Sequence, residues 1–255
     1  MDKQKAVEQW VHHHTQVNPN EWSIPFVHIP LPEFLSLHGL MLVFCAAFLL
    51  IIFGKVYRKH DSVPTGVTNF LELFVLFIRD EVCVPHMGKE DGRRMTPIFC
   101  SIWFFVLSLN LMGLIPLFST ATANPNVTFG MATVTLLMMV VGGIYRNGFG
   151  GFAKSFVISG VPWPVQFILI PIELAGLIIK PVALMIRLFA NMLAGHIILF
   201  SLLSLGVIYG SMALLPSLAI SVAIYFLEIF VAFLQAYIFT LLSSMFVGSL
   251  LHPSH

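Results

Sequence analysis

Four charged side chains and one histidine stand inside long apolar stretches in the second half of the sequence. They are Glu173, Lys180, Arg187, His196 and Glu228. A charge in the middle of a bilayer costs at least about 2.5–3.5 kcal/mol, so ionisable residues in such positions usually serve a function, most often an ion path. The pattern therefore favours a protein that moves ions through a membrane.

Glu173 and Lys180 also allow a purely structural interpretation. They are seven residues apart and share one face of a helix, so they could neutralise a common partner. Lys180 could also extend its long side chain toward the membrane surface. Arg187 is the stronger functional candidate, because a guanidinium stays charged even in surroundings of low dielectric constant.

The helix face that carries Arg187 is made of small or polar residues. At 100° per residue, eight positions, Arg187 included, fall within about 60° of Arg187. They are Glu173, Gly176, Lys180, Ala183, Arg187, Ala190, Asn191 and Ala194. Small residues let another helix approach closely in lipid. This face predicts a surface past which a partner helix packs or slides, and a static contact within the chain is the alternative.

His196 lies on the opposite side of the same helix. It follows Arg187 by nine residues, which places it about 180° away. Glu228 and Gln235, seven residues apart, share a face of the last apolar segment. If the two segments are antiparallel helices, His196 and Glu228 line one polar crevice. Imidazole titrates near neutral pH and suits proton passage, although a lone histidine in a span is also typical of a hydrogen-bonded helix contact.

The composition indicates which elements hold these residues. The 255 residues are 58% hydrophobic and 10% charged, whereas a soluble domain is nearer 45–50% apolar and about 25% charged. We expect an all-α membrane protein with about five membrane-embedded helices and one amphipathic surface helix. Residues 1–34 are an external segment, and residues 35–255 form a single polytopic membrane domain. The predicted spans are about 35–55, 97–118, 127–145, 165–205 and 212–250, with the surface helix at about 67–85.

The last two spans are expected to be long and strongly tilted. A helix over 165–205 would measure roughly 60 Å, twice the hydrocarbon thickness. It must tilt, bend at Pro171 or Pro181, or divide into two short spans. The glycines and prolines of 146–164 predict a loop before it.

Basic residues predict the orientation in the membrane. Segments 55–96 and 146–164 hold nine of the thirteen lysines and arginines. The positive-inside rule places both segments in the cytoplasm. The N-terminus is then outside and the C-terminus inside.

Several stretches resemble one known family. PIELAGLIIKPVALMIRLFANMLAGHIILF resembles the signature of the a subunit of F-type ATP synthase, with its arginine in an RLxxNxxAGH context. FLEIFVAFLQAYIFTLLSSMF is similar to the family's last helix. PTGVTNFLELFVLFIRDEV resembles its surface helix, and NLMGLIP with TANPNVT resembles its central hairpin.

The resemblance implies a stator subunit of the bacterial inner membrane. Its two offset half-channels would pass protons or Na⁺ to and from a rotating c-ring and so couple ion flow to ATP synthesis. Arg187 would face the ring carboxylate, with Asn191 and Gln235 as its polar neighbours. His196 and Glu228 would line the outer half-channel, and Glu173 and Lys180 the cytoplasmic one. Some bacterial members carry Glu and His in the reverse order at the positions of His196 and Glu228.

The resemblance also implies the partners. These are the c-ring, the peripheral-stalk b subunits, the rest of the synthase and membrane lipid, with no nucleic acid, no cofactor and no catalytic site in the chain itself. GFGGFAKS is a near miss to a phosphate-binding loop, with Ala153 in place of the last glycine. His12, His13 and His14 lack a second cluster that would complete a metal site.

Two rival classes are weighed against this interpretation. An ion-coupled secondary transporter would be expected to carry internal repeats with paired broken helices, and the sequence shows none. A membrane-embedded enzyme or haem protein would need HExxH, GxSxG or paired histidines within the spans, and only His196 lies deep in one.

Overall fold

The computed structural model describes residues 21–24, 27–30, 36–56, 66–115, 120–157 and 162–251. The first described element is an antiparallel hairpin of two strands, β1 (Glu21–Ile24) and β2 (Val27–Pro30). This hairpin was not predicted from the sequence. The three consecutive histidines His12, His13 and His14 lie outside the described residues.

Helices account for nearly all of the remaining described chain. In order they are α1 (Leu37–Val56), α2 (Val67–Phe77), a π-helical segment (Ile78–Cys83), α3 (Val84–Met87), α4 (Lys89–Leu114), a 3₁₀ helix (Ala121–Ala123), α5 (Pro125–Lys154), α6 (Trp163–Tyr209) and α7 (Ser211–Leu251). Five of the described helices, α1 and α4 to α7, are long and apolar enough to cross a membrane. The predicted fold class is confirmed.

Two helices extend beyond the predicted spans. α4 begins at Lys89, where Gly88 with φ 79° ends α3 and the acidic residues Glu90 and Asp91 occupy the first turn. Acidic side chains are favourable at a helix N-terminus. α5 continues to Lys154, so the loop prediction for 146–164 is wrong over its first half.

Gly148 is the one point inside α5 where the described backbone leaves helical geometry, with φ 69°. The resulting kink turns the last part of the helix back toward its own middle. A Cβ atom on Gly143 would lie 2.8 Å from Cδ2 of Phe152, although in a straight helix these residues would be about 13 Å apart along the axis. The glycines therefore make a sharp bend rather than a loop.

The long apolar segment after this bend forms one helix. α6 runs for 47 residues with Pro171 and Pro181 inside it, a length of about 70 Å. Its described backbone does not divide at either proline, so the alternative of two short spans is excluded. A helix twice as long as the hydrocarbon is thick must tilt or bend to remain in a bilayer.

α6 and α7 form an antiparallel hairpin around Gly210, the single residue between them, whose φ is 77°. The two helices approach closely at Gly206, because a Cβ there would lie 3.4 Å from the Cα of Leu214 and would also meet the hydroxyl of Ser217. A small residue at this crossing lets the backbones come together. Gly206 and Gly210, four residues apart, thus both serve the helix junction.

The region predicted as a surface helix packs with one face against the bundle. In α2 the ring of Phe74 stacks on Trp103 of α4 at 4.9 Å between centroids. Val67, Phe70 and Leu73 of α2 are exposed, which suits a helix that lies against lipid. Next to it, Arg79 donates hydrogen bonds of 2.7 and 2.9 Å to Asp80 and lowers the pKa of that carboxyl group.

The end of α7 is held against the same region by polar and close backbone contacts. The hydroxyl of Ser244 donates to the carbonyl oxygen of Val82 in the π-helical segment at 3.2 Å. One turn later, a Cβ on Gly248 would lie 2.9 Å from the carbonyl carbon of His86 and would overlap its oxygen. Backbone atoms cannot move aside as a flexible side chain can.

We therefore expect Gly248→Ala to lower the free energy of unfolding by roughly 1–3 kcal/mol, the usual cost of inserting a methyl group into a filled contact. Gly130→Ala is the matched control, since Gly130 is also in a helix and a Cβ added there would meet nothing within 4 Å. Thermal unfolding of the detergent-solubilised protein measures both. Equal midpoints for the two variants would contradict the proposed close contact.

Candidate functional site

Arg187 lies near the middle of α6 on a face that the rest of the described chain leaves uncovered. Its side chain is exposed, as are those of Ala183, Ala190, Asn191 and Ala194 on the same face. The described part of the chain contains two ion pairs, Arg79–Asp80 and Arg146–Asp91, and neither involves Arg187. The guanidinium therefore stands on an open strip of small side chains without an acidic partner among the described residues.

One turn further along, the amide groups of two helices are joined. Nδ2 of Asn191 donates a hydrogen bond of 3.2 Å to Oε1 of Gln235 on α7. Gln235 is 2% exposed, and its Nε2 has no hydrogen-bond partner among the described residues. The amide of Asn191 thus links the uncovered face of α6 to the buried face of α7.

Glu228 lies two turns from Gln235 and packs against α6. It is 9% exposed, and its carboxyl carbon would lie 3.0 Å from a Cβ added to Gly195. The contacts Gly206–Ser217 and Gly195–Glu228 pair a lower residue number on α6 with a higher one on α7. The two helices are therefore antiparallel, which is the condition under which the sequence places His196 and Glu228 together. Glu228 also interacts electrostatically with His196, the residue after Gly195.

His196 faces the end of α4 and the start of the 3₁₀ helix. Its Nε2 lies 2.8 Å from Oγ1 of Thr120 and 3.1 Å from the carbonyl oxygen of Gly113. Its Nδ1 lies 3.0 Å from the carbonyl oxygen of Met192. The hydroxyl of Thr120 can itself donate to Gly113 at 3.1 Å. Both ring nitrogens of His196 are therefore engaged, on the side of α6 that turns away from Arg187.

Glu173 and Lys180 lie toward the other end of α6. Both are half-buried, and no ion pair joins them in the described chain. The ammonium group of Lys180 lies 5.7 Å from the centroid of the Phe246 ring, a distance that permits a cation–π interaction. Lys180 is 16 residues from His196 along the helix, about 24 Å. The ionisable residues thus form two separate groups with Arg187 between them.

Several buried polar atoms near His196 and Glu228 have no hydrogen-bond partner among the described residues. They are Oδ1 of Asn110, Oγ1 of Thr122, Oγ of Ser221, Oε1 of Glu228 and Nε2 of Gln235. Nδ2 of Asn110 lies 3.5 Å from the carbonyl oxygen of Ala232, midway between Glu228 and Gln235 on α7. Buried polar groups are nearly always satisfied by protein or by water. Asn110 on α4 and Ser221, Glu228 and Gln235 on α7 thus carry atoms of the kind that ordered water usually satisfies.

Sequence reasoning missed Gly113, Thr120 and Asn110. Asn110 and Gly113 lie within the NLMGLIP stretch, and the buried asparagine in an apolar span is a signal that could have been used. Thr120 belongs to a short segment without unusual composition, and it meets His196 from 76 positions away. Nothing in its local sequence points to that contact.

The fold and the site define a class of protein: a polytopic α-helical membrane protein with ionisable side chains grouped between and on two long helices. Comparison with known proteins gives the family. The family model for the ATP synthase A chain matches residues 39–248, which is most of the chain. The chain belongs to the ATP synthase A chain family.

Individual relatives agree with this assignment. Proteins named ATP synthase subunit a are similar to this chain: 44% identical over 223 residues in Anaeromyxobacter sp. (strain Fw109-5), 41% over 220 in Myxococcus xanthus (strain DK1622) and 40% over 253 in Chlorobium phaeobacteroides (strain BS1). The matches cover 86%, 84% and 93% of this chain. They cover 55%, 72% and 74% of the relatives, so the chain spans little more than half the length of the first.

The contact between Gly195 and Glu228 can be tested by a double-mutant cycle. We expect Gly195→Ala to lower the free energy of unfolding by roughly 1–3 kcal/mol, because the new methyl group would overlap the carboxyl group. In a Glu228→Ala background the same change should cost close to nothing, since the space is then free. Thermal unfolding in detergent measures each variant.

Gly176→Ala is the control on the same helix, because the nearest neighbour of a Cβ there is Cε of Lys180 at 3.7 Å, an ordinary contact. A cost of Gly195→Ala that is the same with and without the Glu228 carboxyl group would show that the two residues are not in contact.

Proposed function

We propose that this chain is the stator ion-channel subunit of an F-type ATP synthase. It provides two offset half-channels that pass ions to and from a rotating ring of small subunits, and so couples ion flow to ATP synthesis. The chain supplies no catalytic site of its own. Its partners are the ring, the peripheral-stalk b subunits and the rest of the complex in a bacterial inner membrane, with the N-terminus outside and the C-terminus in the cytoplasm.

The observation that carries the proposal is the uncovered guanidinium of Arg187. A charge in hydrocarbon needs a counter-charge, and the described residues do not provide one. The exposed alanines beside Arg187 leave room for a second helix to approach closely. A passing helix with a carboxylate would meet both needs, and the guanidinium would hold that carboxylate ionised by lowering its pKa.

The separation of the ionisable residues supports two half-channels rather than one pore. His196 and Glu228 belong to the group near the α6–α7 junction, and Glu173 and Lys180 to the group about 24 Å or more away. With the fixed positive charge of Arg187 between the groups, a cation cannot pass directly from one to the other. It must travel on the ring instead, and each ion that crosses 100 mV releases about 2.3 kcal/mol.

We expect Arg187→Ala to abolish ion-driven ATP synthesis, because the ring carboxylate would lose its counter-charge and the barrier to a direct leak would be gone. Assembly should survive, since the side chain is exposed and makes no ion pair with the described residues. The measurement is ATP synthesis by membrane vesicles under an imposed proton gradient and potential, with the amount of assembled complex determined in parallel.

Arg146→Ala is the matched control. This substitution also removes a guanidinium group. The side chain of Arg146, however, is 47% exposed and pairs with Asp91 at 3.4 Å, outside the apolar part of the helices. Its substitution should leave ATP synthesis close to the unsubstituted rate. An Arg187→Ala complex that still made ATP from an ion gradient would refute the proposal.

The outer half-channel can be mapped with cysteines after Cys45, Cys83 and Cys100 have been replaced. We expect cysteines at Ser221 and Glu228 to react with a membrane-impermeant thiol reagent added from the outer side, because a thiolate forms only in contact with water.

Phe226→Cys is the control on the same stretch of α7. Phe226 is 66% exposed and lies about 160° round the helix from Glu228. We expect lipid to cover this position, so a thiol there should stay protonated and unreactive. Failure of the cysteines at 221 and 228 to react, or reaction only from the cytoplasmic side, would count against a crevice open to the outside.

A further inference from the structure

The hydrogen bonds around His196 define one fixed ring nitrogen and one that can exchange its proton. The carbonyl oxygen of Met192, 3.0 Å from Nδ1, can only accept a hydrogen bond. Nδ1 therefore carries a proton whether the ring is neutral or charged. This leaves Nε2 as the position at which His196 gains or loses a proton.

Nε2 faces two groups that can form hydrogen bonds with it both when it is bare and when it is protonated. Oγ1 of Thr120 lies 2.8 Å from Nε2, and the carbonyl oxygen of Gly113 lies 3.1 Å from both of them. When Nε2 is bare, the Thr120 hydroxyl can donate to it. When Nε2 is protonated, it can donate to the Gly113 carbonyl or to the hydroxyl oxygen, and the hydroxyl turns to donate to Gly113. The ring need not rotate in either case.

The backbone is built to keep these groups together. Gly113 lies in the last turn of α4, where carbonyl oxygens have lost their partners within the helix. A Cβ on Gly113 would lie 2.8 Å from Cγ2 of Thr120 and 3.3 Å from Cε of Met192. Only a residue without a side chain lets Thr120 and α6 come this close to α4.

We propose that Thr120 and the Gly113 carbonyl form a proton-exchange site with His196, in which the hydroxyl of Thr120 reverses its hydrogen bond each time Nε2 takes up or releases a proton. The N–H bond at Nε2 forms with a proton from water on the outer side. It breaks when that proton passes on toward the carboxylate of Glu228. Thr120 is thus a positioning residue for His196, and the ion in this half-channel is a proton.

The other groups that face His196 fit this assignment. Glu228 on α7 is the charged side chain that interacts with it, and Tyr225 on α7 donates to the carbonyl oxygen of Leu114 at 3.5 Å. α4 between Met95 and its end carries one titratable side chain, the buried Cys100, and the 3₁₀ helix Ala121–Ala123 carries none. α1, which also packs against the 3₁₀ helix, carries a further titratable residue, His38. We assign the change in protonation beside the Thr120 hydroxyl to His196, because its Nε2 contacts that hydroxyl directly.

This inference rests on the proposed function, and it is tested in vesicles that contain the complete complex. ATP synthesis is driven by a fixed potential and a fixed inner pH while the pH on the outer side is varied. Thr120→Val removes the hydroxyl and keeps the shape, so a bare Nε2 loses its donor while a protonated Nε2 keeps the Gly113 carbonyl. We expect the midpoint of the outer-side pH profile to rise by about 0.5–1 unit and the maximal rate to fall about 3- to 10-fold.

Thr120→Ser is the matched control, since it keeps the hydroxyl, and its pH profile should coincide with that of the unsubstituted complex. In a His196→Gln background, Thr120→Val should cause no additional shift, because the exchanging nitrogen is then absent. A Thr120→Val profile with an unchanged midpoint would overturn the inference, even if less complex accumulated in the membrane. A requirement for Na⁺ in the unsubstituted complex would overturn it as well.

Arg187→Ala, measured in the same vesicles, separates this inference from the proposed function. If Arg187→Ala abolishes synthesis and Thr120→Val leaves the pH midpoint unchanged, the stator assignment stands and the proton-exchange site alone fails. If Arg187→Ala retains ion-driven synthesis, the proposed function itself fails.

Discussion

The structure depends on a positive charge that the described residues do not neutralise. Arg187 stands near the middle of a 47-residue apolar helix, on a face that the described residues leave open. An arginine cannot become neutral to escape the cost of an apolar environment, as a lysine can by losing a proton or a carboxylate can by gaining one. Under the proposed function, the stabilising partner is a carboxylate of another subunit, which would give the guanidinium its counter-charge when it approaches.

The α6–α7 hairpin determines what lies behind that charge. Gly206 and Gly195 allow α7 to pack so closely that Ser217 and Glu228 lie directly against the backbone of α6. With both helices antiparallel about Gly210, Gln235 reaches the level of Asn191, one turn from Arg187. Replacing these glycines with larger residues would separate the helices and break the connection between the buried carboxyl group and the exposed guanidinium. Small residues therefore serve two purposes, one on each side of α6.

The parts of the site that lie on one helix could be predicted from the sequence, because helical periodicity alone relates Arg187 to Asn191 and to His196. The long helices followed from the length of the apolar runs. The helical end of α5 could not be predicted, because tertiary contacts outweigh the low helix propensity of its glycines. Asn147, for example, donates to the carbonyl oxygen of Leu250 at 2.8 Å. The role of Thr120 could not be predicted for a related reason, because its contact with His196 joins segments that are far apart in the sequence.

Under the proposed function, the hydrogen bond between Asn191 and Gln235 occupies a decisive position. Glu228 is two turns from Gln235 on the buried side, and Arg187 is one turn from Asn191 on the open side. A proton that leaves Glu228 must pass this amide pair before it reaches the strip where a ring carboxylate would pass. Amide groups can donate and accept hydrogen bonds but do not hold a charge near neutral pH. They can therefore orient water along the path without binding a cation beside Arg187, where a second positive charge would be strongly repelled.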